Sequence, residues 1–200
     1  MRKMYLSAPL PFVGQKRMLA KEFMKVLEQY PDGTLFVDLF GGSGLLSHIT
    51  KSLKPHSTVI YNDFDNYRFR MKHIPQTNQL LADIREMVGN SVPRHKIIKG
   101  ELRERIFSRI EQEENSTGYV DFITLSSSIL FSMKYKLSVQ DMRKEALYNN
   151  IRKTGYPECT DYLEGLEIVS CDYKEVFNRY KDIPGVVFLV DPPYLSTDVG

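Results

Sequence analysis

Leu35-Phe36-Val37-Asp38-Leu39-Phe40-Gly41-Gly42-Ser43-Gly44 decides how this chain is read. Its first half is short and apolar throughout, as a strand covered on both faces must be. Its second half is a glycine turn. From Ser43 to Leu53, the residues Leu45, Leu46, Ile49 and Leu53 recur at helical spacing, and Pro55 closes the segment. Thr58-Val59-Ile60-Tyr61 is a second β-rich run, ending at Asn62-Asp63. Strand, helix and parallel strand within about thirty residues form a βαβ unit, with a right-handed crossover by default.

Working outward, residues 7–16 are loop-like, with Pro9, Pro11 and Gly14. A helix is predicted over 17–29, with Leu19, Phe23, Val26, Leu27 and Tyr30 on one face, and Pro31-Asp32-Gly33 ends it. After Asp65 the strand rhythm breaks. Helices are predicted over 76–88 and 100–114, a loop over 113–118 and a buried helix within 119–133. A basic stretch follows over 134–153, and a helix start near Pro157, capped by Thr160 or Asp161. Strands return at Leu166–Ser170 and Val186–Val190, with a helical turn or two at Tyr173–Tyr180 between them. Val186–Val190 is the most apolar and is expected to lie centrally in the sheet. The pattern predicts an α/β open sheet formed by residues 1–65 and 161–200. Residues 66–160 form an inserted, mainly helical subdomain.

Composition bounds this reading without directing it. The 200 residues are 42% apolar and 26% charged, an ordinary globular mix that excludes wholesale disorder. The net charge of +2 says little about partners, because a nucleic-acid-binding protein needs a local basic patch, not a basic total. Cys159 and Cys171 form no C-x-x-C pair and sit near no histidine at ligand spacing, so no metal site is suggested and a reducing compartment is the natural setting. Neither a signal peptide nor a run of membrane-spanning length is evident.

In open α/β sheets ligands sit beyond the carboxyl ends of the strands, and Gly41, Asp63, Asp172 and Asp191 all fall there. Asp38 to Gly44 is the cofactor candidate. Glycines let the backbone approach a nucleoside, and the helix near Ser43 offers its first amides. The pattern is neither a dinucleotide fingerprint nor a phosphate loop. Its bland reading is a structural turn. Asp63 can bind a ribose diol or simply cap a helix. Asp172 can hold an adenine amine with Tyr173 packed on the ring, or be a turn acid beside a core tyrosine. Lys16 can meet a cofactor carboxylate or a target base, or be surface.

Asp191-Pro192-Pro193-Tyr194 ends the most apolar strand. A carboxylate there is costly to bury unless it serves a site. Two prolines remove two amide donors and fix φ twice, which turns carbonyls toward a ligand. Asp191 and the Pro192 carbonyl can together accept both N–H bonds of an exocyclic amine, while Tyr194 stacks on the base. The bland reading is a Pro-Pro turn. Paired with the glycine turn, the tetrapeptide points to methyl transfer from S-adenosylmethionine to an amino nitrogen of DNA. Such chemistry needs no metal, and a duplex base must be flipped out to reach it. Lys134, Lys136, Arg143, Lys144, Arg152 and Lys153, interleaved with Tyr135, Tyr148 and Asn149-Asn150, suit phosphate and base-edge contacts. For any one of them a solvated helix face is the commoner role.

These residues resemble the Dam-type, or D12-class, N6-adenine DNA methyltransferases. Pro11-Phe12-Val13-Gly14-Gln15-Lys16 resembles the family's N-terminal motif, with Phe12 in the aromatic place, Gln15 for its second glycine, and Lys16 kept. Phe36 to Gly44 resembles the cofactor motif, including Asp38, Phe40, Gly41, Gly42, Ser43 and Gly44. Asp63 falls on the ribose acid, Asp172-Tyr173 on the pair that holds the cofactor adenine, and Asp191-Pro192-Pro193-Tyr194 on the catalytic motif. The resemblance implies a Rossmann-like methyltransferase fold, S-adenosylmethionine as cofactor, double-stranded DNA as partner and residues 66–160 as the target-recognition region. It also implies a cytoplasmic enzyme of bacterial or phage origin, such as a restriction-modification methylase. Family members continue beyond the tetrapeptide, so this chain is expected to be a fragment or truncated form of uncertain activity. Methylation of RNA or of protein glutamine, and a non-catalytic DNA-binding module, are the competing expectations.

Overall fold

The computed structural model describes residues 3–14, 16–131 and 134–192. In chain order, α1 (Ala20–Leu27), β1 (Phe36–Asp38), α2 (Leu45–Leu53) and β2 (Val59–Asn62) build the predicted βαβ unit. Next come α3 (Tyr67–Lys72), α4 (Ile74–Val88), β3 (Ile97–Ile98), α5 (Gly100–Thr117), α6 (Phe122–Ile129), α7 (Val139–Arg143) and β4 (Leu147–Tyr148). The last are β5 (Glu167–Val169), α8 (Tyr173–Tyr180) and β6 (Val187–Leu189). The chain divides into two units, one of Met1–Phe69 with Cys159–Gly200, the other of Arg70–Glu158.

The first unit holds a parallel sheet in the order β5-β2-β1-β6. Val37 pairs with Ile60 on one side and Phe188 on the other. Side chains alternate along β1, so each face gathers its own core. Phe36 packs with Ala20, Leu27, Leu45 and Ile49 on one face. Val37 and Leu39 pack with Ile60 and Val176 on the other. The expectation that Val186–Val190 lies centrally is corrected: among the described residues β6 ends the sheet. Both faces of the sheet are helix-covered, so an edge strand can be as apolar as an inner one. Burial separates them, since β1 and β2 are fully buried whereas Val187 and Phe188 are half-buried.

The second unit pairs β3 with β4 in antiparallel fashion and packs α4 on α5. Two local expectations fail. Residues 113–117 continue α5 rather than forming a loop, and the stop falls at Gly118, whose φ of 73° is the left-handed end that glycine tolerates. No helix starts near Pro157; the Asp161 carboxylate, proposed as a cap, instead accepts a 2.7 Å bond from Tyr5 Oη in the first unit. At the core of the second unit, Arg70 Nε lies 3.2 Å from both oxygens of Asp121. Asp121 also caps α6 by accepting from the Thr124 amide at 3.0 Å.

Candidate active site

At the carboxyl ends of these strands lies a cavity of about 570 Å³, within the ~300–1,000 Å³ of small-molecule sites. Of the predicted residues, Phe12, Lys16, Asp38, Phe40, Gly41, Gly42, Ser43, Asp172, Tyr173, Asp191 and Pro192 line it. Pro193 and Tyr194 lie outside the described residues, as does Gln15.

The glycine turn forms the floor. A side chain at Gly41 would lie 2.3 Å from the Tyr61 ring and 2.7 Å from the Asn62 carbonyl, so the turn rests directly on the end of β2. Gly42, at φ 49°, leaves room for the Phe12 ring, which a Cβ would approach to 2.9 Å. Gly44 does not line the cavity. It starts α2 in the left-handed conformation, φ 71°, and its amide bonds the Gly41 carbonyl at 2.7 Å. Phe12 is held by the N-terminal loop, which Tyr67 pins: Leu10 N–H donates to Tyr67 Oη at 2.9 Å, and the Phe12 and Tyr67 rings meet edge-on.

Asp63 also stays out of the cavity lining. Its carboxylate accepts from the Tyr67 amide at 2.6 Å and the Arg68 amide at 3.0 Å, with Tyr61 Oη at 3.0 Å. It therefore caps α3, the simpler of its two sequence readings. The same segment presents Phe64, 63% exposed, and Asp65 to the cavity instead. Sequence reasoning missed both. The available signal was that an acid just before a helix is taken by its first amides. Asn62 was missed as well. Its side-chain amine donates to the Leu39 and Cys171 carbonyls at 3.0 Å each, and its oxygen accepts from the Cys171 amide at 3.1 Å. Asp172 caps α8 through the Lys174 amide at 2.8 Å while lining the cavity. Tyr173, 40% exposed, lies against Phe40 with centroids 4.9 Å apart.

Three ionisable groups meet on the wall formed by β1 and β6. Lys16 Nζ pairs with Asp191 Oδ1 at 3.0 Å, their side chains 16% and 27% exposed. Asp38 is buried; its Oδ2 accepts from Ser47 Oγ at 2.7 Å, and its Oδ1 has no hydrogen-bond partner among the described residues. Burial pushes the Asp38 carboxyl up to about 7, with the charge of Asp191 adding to it. The Ser47 bond pulls the other way, as does the Phe40 amide, which favours the charge without a formed bond to Oδ1. The folded state thus holds this proton more tightly than the unfolded chain. The resulting stability is complete below about pH 4 and is lost as pH rises through about 7, a swing of about 4 kcal/mol. Asp38→Asn, which keeps an acceptor for Ser47, is expected to flatten that slope in thermal melts between pH 5 and 8.

The basic stretch is more self-contained than its sequence suggests. Lys134 and Lys136 both pair with Glu145, at 2.6 and 3.3 Å. Arg143 pairs with Glu104 and Glu111, and Lys144 with Asp141. Arg152 lies over the Tyr156 ring at 4.3 Å, and Lys153 is exposed.

Residues 12–199 match the family of D12 class N6 adenine-specific DNA methyltransferases. A Haemophilus influenzae protein named as a methyltransferase is 40% identical over 200 aligned positions, covering 98% of this chain and 67% of that protein. With the glycine floor and Asp191 converging on one cavity, and a family match running almost from end to end, this chain belongs to the D12 class of N6 adenine-specific DNA methyltransferases.

Proposed function

We propose that this cavity is where the chain carries out its class's reaction, the S-adenosylmethionine-dependent methylation of adenine N6 in DNA. The observation that carries the assignment is that the glycine floor, two cavity acids and Asp191 share one pocket. The pocket suits the cofactor chemically. Its floor has no room for side chains, flat rings of Phe40, Phe64 and Tyr173 surround it, and Asp65 and Asp172 line it as acceptors suited to a ribose diol and an adenine amine. Asp38 Oδ1, buried and unpartnered among the described residues, suits the cationic end. S-adenosylmethionine supplies a methyl group already activated on a sulfonium.

The protein's part is then orientation. Asp191 and the Pro192 carbonyl accept the two N–H bonds of the target amine and aim its lone pair across the cavity. Tyr194 replaces the stacking that the flipped base has lost. The unit of Arg70–Glu158 serves target recognition. Four of its six candidate cations already have acidic partners, so Arg152 and Lys153 are the ones best placed for phosphates. The family match sets aside the RNA, glutamine and non-catalytic readings.

Two neighbouring acids test the site. Asp65→Ala is expected to weaken S-adenosylmethionine binding by about 1–3 kcal/mol, the cost of a lost charge-assisted hydrogen bond, in a protein that stays folded. Asp63→Ala is expected to do the reverse, costing about 0.5–2 kcal/mol of stability through the uncapped α3. Calorimetry showing full affinity in a folded Asp65→Ala protein would remove that acid from the ribose position.

A further inference from the structure

We infer that the Lys16–Asp191 ion pair is a gate: Lys16 occupies the amine-accepting carboxylate until the carboxylate of the bound cofactor draws it away, so the target adenine is accepted only after the cofactor. The inference rests on the function proposed above. Its starting point is that both partners line the same cavity and are mostly buried in its wall, 3.0 Å apart. A carboxylate oxygen that holds an ammonium is poorly available to a neutral amine, and the ammonium occupies the space the amine must enter.

Charge explains why the pair forms. The charge of Asp191 lies close enough to Asp38 to oppose its ionisation. Without a cation, two carboxylates would share a poorly solvated wall. Lys16 supplies that cation. The bound cofactor would bring two positive groups, sulfonium and ammonium, and one carboxylate. It thus replaces the positive charge beside Asp38 and Asp191 and offers Lys16 a new anion, so the exchange leaves the wall balanced. A lysine suits the task, being a point charge on a flexible four-carbon stem. The spent cofactor has lost the sulfonium charge, which favours return of Lys16 to Asp191 and resets the gate.

The test compares two cofactor mimics on the full chain. Sinefungin has the amino-acid carboxylate and carries an amine where the cofactor carries its methyl sulfonium; methylthioadenosine has the nucleoside but no amino acid. Nuclear magnetic resonance follows the Lys16 ammonium and the Asp191 carboxyl carbon, assigned with Lys16→Gln and Asp191→Asn. Sinefungin is expected to shift both resonances, and methylthioadenosine to bind while leaving both in place. In isotope-trapping experiments on unmethylated genomic DNA, the parent protein is expected to commit only from its cofactor complex, and Lys16→Gln from either binary complex. Equal shifts with both mimics, no shift with bound sinefungin, or unchanged binding order in Lys16→Gln would each overturn the gate. No heat of sinefungin binding would instead remove the cofactor site itself, and the gate with it.

Discussion

Asp191→Ala is expected to lower single-turnover methyl transfer by at least about a hundred- to a thousandfold, the scale on which a lost polar contact to a reacting group acts. Cofactor affinity should change far less. The separation follows from where Asp191 stands. The groups proposed to hold the nucleoside come from the glycine turn, the segment after β2 and the start of α8. Asp191 comes from the end of β6, beside Pro192. Alanine there removes the proposed acceptor of the target amine and breaks the 3.0 Å pair with Lys16. Asp191→Asn is a sharper probe, because it keeps the volume and one acceptor oxygen but brings its own amine toward the incoming one. A near-parental rate in either variant, with a folded pocket confirmed by calorimetry, would make the tetrapeptide a mere strand ending.

The second large effect belongs to the unit of Arg70–Glu158 and has nothing to do with chemistry. Arg70→Ala is expected to destabilise the protein by about 3–5 kcal/mol, as when one partner of a buried ion pair is removed. The side chains of Arg70 and Asp121 are 7% and 1% exposed, so water cannot take over the orphaned carboxylate. Asp121 also accepts from the Thr124 amide and from Thr124 Oγ1 at 2.7 Å. Replacing both partners by apolar residues should therefore recover only part of the loss, since α6 would still lack its cap. Chemical denaturation of Arg70→Ala and of the double variant measures both numbers; a loss below about 1 kcal/mol would mean that the pair is solvated.

The legible parts of this protein were those fixed by local patterning. The run from Leu35 to Gly44 and the recurrence of Leu45, Ile49 and Leu53 defined β1, the turn and α2 because each is a statement about neighbours in sequence. Strand order was not legible. Val186–Val190 looked central because it is apolar, but helices cover the sheet on both faces and make edge and centre alike in composition. That the glycine turn and Asp191 would line one cavity could be read from their places at the strand ends. That Asp65 and not Asp63 lines the cavity could not, because it depends on Asp63 accepting from the first amides of α3. The pairing of the six basic residues of 134–153 was hidden for a similar reason. Glu104, Glu111, Asp141 and Glu145 neutralise most of them, and two of those acids lie outside the stretch.

From its own place at the end of β2, Asn62 bonds to Leu39, the residue after β1, and to Cys171, which precedes the Asp172 cap of α8. Three segments that approach the pocket from separate parts of the sequence are thereby fastened at one point. Ordering a residue costs about 1–2 kcal/mol in conformational entropy, and a site assembled from loose loops would meet that cost each time a nucleoside arrived. Here it is met once, during folding. The binding energy of the adenosine end is then free to act elsewhere, including on the displacement of a lysine from a carboxylate.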